Sequence, residues 1–248
     1  AHFSEADWLD EQLGGLTSLF FVRELAKTVE SDWPTVLAAL EEIRQILVNR
    51  AGMIVNVTLD AQNWAAVGPQ LEDFLASLPM KPRTTVAWNG QAAPAPEGLV
   101  IPGQVNYVGK AANIYATGYR YHGSIAVINR YLRTMFLWDR VRIQGGAYGA
   151  SSGFSRRTGV FSFSSYRDPN LLKTLHNYDE TAAYLRNLDL DQTELEKTII
   201  GAIGDLDAYR LPDTKGWIAM DRYLAGDTDA ELQQIREEIL GTSARDFR

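Results

Sequence analysis

Three histidines, His2, His122 and His176, are the only imidazoles in 248 residues. A hydrolytic zinc site needs three protein ligands, commonly two histidines on one helical face with a carboxylate, and one position left for water. No His-x-x-His, His-Glu-x-x-His or His-x-x-Glu-His spacing occurs, so a self-contained zinc hydrolase is excluded. His176 has Asp179 and Glu180 three and four residues on, neighbours on a helix face and most simply read as solvated side chains. There is no Gly-x-Ser-x-Gly, and Ser151-Ser152-Gly153 has no base nearby in sequence. The absence of cysteine removes disulfides, thiolate ligands and a catalytic thiol.

The most unusual string is Gly145-Gly146-Ala147-Tyr148-Gly149. A glycine-rich phosphate cradle joins a strand to a helix N-terminus, whereas this one follows a helix, so a nucleotide site is not expected. Two readings of it stay open. In one, the glycines stop a helix and Tyr148 packs as a half-buried aromatic at the entry to an edge strand. In the other, Arg142 on the last helical turn and Tyr148 beyond the glycine pair offer a guanidinium and a phenolic O–H to one polarised carbonyl.

The elements that must position these residues can be read from periodicity. Trp8, Leu9, Leu13, Leu16, Phe20, Val22 and Leu25 recur at helical spacing, loosened at Gly14-Gly15. Asp32 caps a helix with Pro34 in its first turn, running to about Leu47. Met53–Leu59, β-branched and bounded by Gly52 and Asp60, is expected as a strand, and residues 61–78 as a helix. Gln104–Tyr115 is expected as a strand, followed by a helix whose apolar stripe is Ile125, Ile128, Leu132, Met135 and Phe136. Tyr148–Phe154 and Val160–Tyr166 form a hairpin around Ser155–Gly159, with Phe161 and Phe163 on one face. Helices are expected over Leu171–Leu188, Thr193–Tyr209, Asp213–Leu224 and Asp229–Leu240. The class is α+β, a mainly antiparallel sheet packed against long helices. The division expected is 1–80, a Pro/Ala-rich connection over 81–98, and a second domain over 99–248.

A net charge of −7 speaks against nucleic acid as a partner, since phosphate binding is driven by Lys and Arg. No apolar run approaches the roughly 20 residues that cross a bilayer, and neither a signal nor a transit peptide is recognisable, so a soluble protein without membrane partners is expected.

Longer strings carry a resemblance. Asp139–Gly149, Gly159–Phe163 and Ser165–Leu175 resemble presequence proteases of the pitrilysin/insulinase superfamily. Gln12–Leu16, Leu40–Arg44, Gln104–Lys110, Ile200–Asp205 and Leu211–Gly216 resemble their C-terminal half as well. The resemblance implies a mitochondrial-processing-peptidase-like metallohydrolase fold in its inactive C-terminal copy, within a clamshell enzyme that degrades unstructured peptides. It implies that zinc, absent from this chain, is held by a missing N-terminal catalytic half, the chain's partner. Arg142 and Tyr148 are then the groups that reach the scissile carbonyl, and Gly145, Gly146 and Ala147 line the substrate. A cytoplasmic setting is expected, or an organelle matrix or stroma if the source is eukaryotic. The alternative is a non-catalytic scaffold or binding subunit that pairs with a separate zinc-bearing protein.

Overall fold

A computed structural model of the chain describes residues 3–82, 86–87 and 95–248. His2 and part of the expected 81–98 connection lie outside the described residues. The chain falls into two compact units, one within Glu5–Gln91 and Arg210–Gly226, the other within Ala92–Tyr209 and Asp227–Arg248.

The first unit is helical: α1 (Glu5–Gly14), α2 (Leu16–Ser31), α3 (Trp33–Leu47) and α4 (Ala61–Ser77), joined by α8 (Pro212–Ala225) from late in the chain. The glycine pair divides the opening helical pattern into α1 and α2. Asp32 caps α3 by accepting from Thr35 N, with Pro34 in the first turn, and Asp60 caps α4 by accepting from Asn63 N at 2.8 Å. That last bond holds the Asp60 carboxyl below its ordinary range. Within these five helices only Val36 and Gly68 are buried.

Met53–Leu59 is not a strand, contrary to the reading from sequence. A strand is stable only when a neighbour completes its hydrogen-bond ladder, and no strand pairs with this segment among the described residues. Its β-branched residues stay exposed, Ile54 at 54% and Val55 at 46%, while the Asn56 side chain donates to Gly216 O at 2.9 Å.

The second unit holds a three-stranded antiparallel sheet, β1 (Asn106–Asn113), β2 (Gly149–Phe154) and β3 (Val160–Asp168), with β3 central. Helices α6 (Leu172–Arg186), α7 (Gln192–Leu206) and α9 (Asp229–Leu240) complete it, together with α5 (Ser124–Tyr131) and its continuation. Long helices with an antiparallel sheet are the expected class.

The continuation of α5 differs from the expected stripe. Helix α5 runs on into two wider i→i+5 segments, Leu132–Phe136 and Trp138–Ile143. At 3.6 residues per turn Leu132 and Val141 would lie about 180° apart. Widened turns instead bring Leu132, Phe136, Leu137 and Val141 together, each 3% exposed or less, in one core with Val108, Ala147 and Tyr178. Met135, placed in the stripe by regular spacing, is 40% exposed. Phe161 and Phe163 pack on the same core with ring centroids 5.1 Å apart, as their alternation requires. A second core joins Val127 and Tyr131 of α5 to Leu195, Ala202, Ile239 and Phe247.

Two outcomes are expected, one from the contrast between the units and one from the cap of α9. Because amide protection tracks local burial, amides of α2 and α3 should exchange at least about tenfold faster than those of β3 when this chain is studied alone. Equal protection would show that the first unit has a core of its own. The second concerns the capping box of α9, in which the Glu231 carboxylate accepts from the amide and hydroxyl of Thr228. Those bonds, the amide first, lower its pKa. The group therefore favours the folded helix above its ordinary value of 4.5, and that contribution fades as pH falls through the lower folded value. Amide shifts of 229–240 should report fraying in acid for the native chain, and a Glu231→Gln chain should lose that pH dependence.

Candidate functional site

The helix that begins at α5 ends in a closure widened to match its i→i+5 turns. In a standard Schellman closure the paired amides reach back five and three residues. Here Ala147 N donates to Val141 O, six residues back, at 3.1 Å, and Gly146 N donates to Arg142 O, four back, at 2.9 Å. Gly146 has φ +80, the left-handed conformation that such a closure needs. A Cβ on Gly145 would meet the Val141 carbonyl oxygen at 2.3 Å, so a side chain there would displace backbone.

The closure sets the two candidate groups. Arg142 lies exposed with its guanidinium 4.1 Å from the ring centre of Trp138, one turn earlier. Stacking of this kind engages the face of the guanidinium and leaves its in-plane N–H groups available. Ala147 is buried, and Tyr148 emerges at 68% exposure with its ring edge-on to Tyr166 at 5.9 Å. The Tyr148 amide donates to the carbonyls of Tyr166 at 3.1 Å and Arg167 at 3.4 Å, so its backbone is fixed while its ring stands out. Among the described residues neither the phenolic O–H of Tyr148 nor the guanidinium of Arg142 has a hydrogen-bonding or ionic partner. The amides of Gly146 and Ala147 are occupied by the helix closure. Neither N–H is therefore left for a ligand.

The remaining candidates are elsewhere. His122 Nδ1 lies 2.9 Å from Ser124 Oγ at the start of α5. His176 faces Glu180 at 3.2 Å on the exposed side of α6. Ser152 is buried in β2, its hydroxyl directed at Asn129 O. No group of three or more His, Asp or Glu side chains among the described residues is arranged to hold a metal ion, so those residues do not fit a zinc site. No described helix is long and apolar enough to cross a membrane.

Residues 96–248 match the family described as the PreP C-terminal domain. The chain belongs to that family. It is 51% identical over 244 residues to presequence protease 1, chloroplastic/mitochondrial, of Arabidopsis thaliana, covering 98% of this chain and 23% of that protein. It is 30% identical to protein HypA of Clostridium perfringens, covering 96% of this chain and 24% of the relative. Against the mitochondrial presequence protease of Saccharomyces cerevisiae the identity is 27%, over 99% of this chain and 26% of that one. The chain thus spans about a quarter of the length of the curated relatives it matches. A solved protease from Helicobacter pylori shares the fold at TM-score 0.51 and 17% identity, over 76% of this chain and 48% of its own. The resemblance to pitrilysin/insulinase-type presequence proteases therefore holds, for a C-terminal domain without the zinc motif.

In this PreP C-terminal domain two neighbours of the site escape sequence reading. Trp138 precedes Arg142 by four residues, the spacing of helical neighbours, and that signal was available. Asn170, whose side chain donates to Gly145 O at 2.6 Å, is 25 residues away and carries no such signal.

If the closure positions Tyr148, the glycines should be intolerant in distinct ways. Gly145→Ala should cost about 1–3 kcal/mol through overpacking against backbone, and Gly146→Ala about 1–2 kcal/mol through the left-handed conformation. Denaturant unfolding measures both, and two neutral substitutions would contradict the closure described.

Proposed function

We propose that Arg142 and Tyr148 donate hydrogen bonds to the scissile carbonyl of an unstructured peptide, within a longer polypeptide whose N-terminal half holds zinc. The observation that carries this reading is the pair of donors that have no hydrogen-bonding or ionic partner among the described residues, both at the exit of one tightly closed helix. Relatives named presequence proteases, two of them chloroplastic or mitochondrial, support the substrate class, short extended peptides such as targeting sequences, and an organelle setting. The formal charge of −7 favours basic peptides among them.

What this chain contributes is preorganisation. A phenol and a guanidinium already fixed on the side where negative charge develops need not reorganise as the carbonyl becomes tetrahedral, and loss of one such donor typically costs about 10²–10³ in kcat. Tyr148 supplies direction as well as polarity, because its backbone is tied to β3 at two carbonyls.

The test is Tyr148→Phe in the full-length protein, with hydrolysis of an unstructured peptide followed under saturating and sub-saturating conditions. A fall in kcat of about 10²-fold with KM nearly unchanged is expected of a donor that acts chiefly in the transition state. Cleavage at the native rate would refute the reading.

A further inference from the structure

The loop that delivers Tyr148 is gripped from a second side by the segment that leaves β3. Tyr148 N–H is held by the carbonyls of Tyr166 and Arg167, and Gly145 O, three residues earlier, accepts from Asn170 Nδ2 at 2.6 Å. Asn170 is itself fixed, its amide donating to Asp168 Oδ1 at 2.8 Å. Asp168 is fully buried, with Oδ2 accepting from Thr174 Oγ1 at 2.7 Å and its backbone carbonyl accepting from the Asn106 side chain at 3.1 Å. Beside it, Arg167 has φ +50, the one non-glycine residue with positive φ among those described. Such a conformation persists only where its surroundings over-determine it, and here the buried carboxylate next to it fixes the chain on the far side.

We propose that Asn170 is a positioning residue for Tyr148: its carboxamide, carried on a backbone that Asp168 holds, grips the Gly145 carbonyl and so sets where the phenol stands relative to Arg142. This rests on the reading that Arg142 and Tyr148 serve the substrate carbonyl. Asn170 touches neither substrate nor donor. Its effect passes through the backbone from Gly145 to Tyr148, where a misplacement of about 1 Å can cost 10²-fold in rate.

Asn170→Asp keeps the size of the side chain and its backbone amide but turns a donor toward the Gly145 carbonyl into an acceptor. In the full-length protein it should lower kcat by about 10- to 100-fold and leave KM within about twofold. Combined with Tyr148→Phe it should add nothing further, since both changes remove the same contribution. A general loss of stability would instead multiply with the Tyr148→Phe effect, and that result overturns the proposal, as does an unchanged kcat in Asn170→Asp when Tyr148→Phe alone is impaired. Should Tyr148→Phe itself be inert, the functional reading fails first, and amide exchange then judges the positioning. Exchange at Gly146, Ala147 and Tyr148 should rise about tenfold or more in Asn170→Asp while the β1–β3 ladder keeps its protection. Unchanged exchange at those three amides overturns the proposal whatever the kinetics. Asn170→Ser, too short to reach Gly145, replaces Asn170→Asp in every measurement if the latter does not fold.

Discussion

A helix that has made i→i+5 turns presents its last carbonyls farther from the following amides than a regular helix does. The bond from Ala147 N–H to Val141 O, six residues back, accommodates that widening, and two glycines make it sterically allowed. Ala147 is then buried against Val108 and Tyr178, and Tyr148 leaves the helix pointing outward beside Tyr166. The same widening buries Leu132, Phe136, Leu137 and Val141 together. The core of the second unit around Leu132 and Val141 and the exposure of Arg142 and Tyr148 are therefore consequences of one backbone geometry. Wide turns of this type recur at functional sites in other helices because they displace residues from the register that packing alone would choose.

Where local chemistry decides structure, the sequence was readable. Asp32 with Pro34 marks the start of α3 through a bond made within three residues; the caps at Asp60 and Thr228 are equally local, but the structure, and not the sequence reading, brought them out. The hairpin around Ser155–Gly159 was visible from its turn residues and from alternation in Val160–Tyr166. Reading stopped where a distant partner decides. Met53–Leu59 has the composition of a strand, but composition does not supply a ladder. The burial of Leu137 and Val141 in place of Met135 follows from a pitch that single-residue propensities do not encode. At the site, Arg142 and Tyr148 could be picked out because glycines announce a special turn and a family resemblance lay across them. Asn170 could not, because its bond to Gly145 spans 25 residues and depends on a buried carboxylate that sequence reading does not single out.

The two units differ in what holds them. The second has two apolar clusters and a hydrogen-bonded sheet, and its hairpin turn is fastened to the start of the last helix by the Arg156–Asp227 ion pair, 30% and 14% exposed at the side chains. The first has five helices and almost no buried residue, with Phe20, Phe21, Ile46 and Leu47 each more than half exposed. Burial of apolar side chains is the main favourable term in folding, and the relatives that match are about four times as long. Among the described residues the first unit therefore has little apolar burial of its own to stabilise it.

Helix α8 gives these two units an unusual connectivity. The family match covers 96–248 as one continuous stretch, yet 210–226 belongs with the first unit, where the Gly216 carbonyl accepts from Asn56. From Glu5 onward the polypeptide passes between the units three times, so one proteolytic nick between them leaves the two units tethered. A chain cut to the family boundary at residue 96 would carry a helix stranded without its neighbours, and an internal splice that omits 210–226 would be the smaller piece with an intact interior.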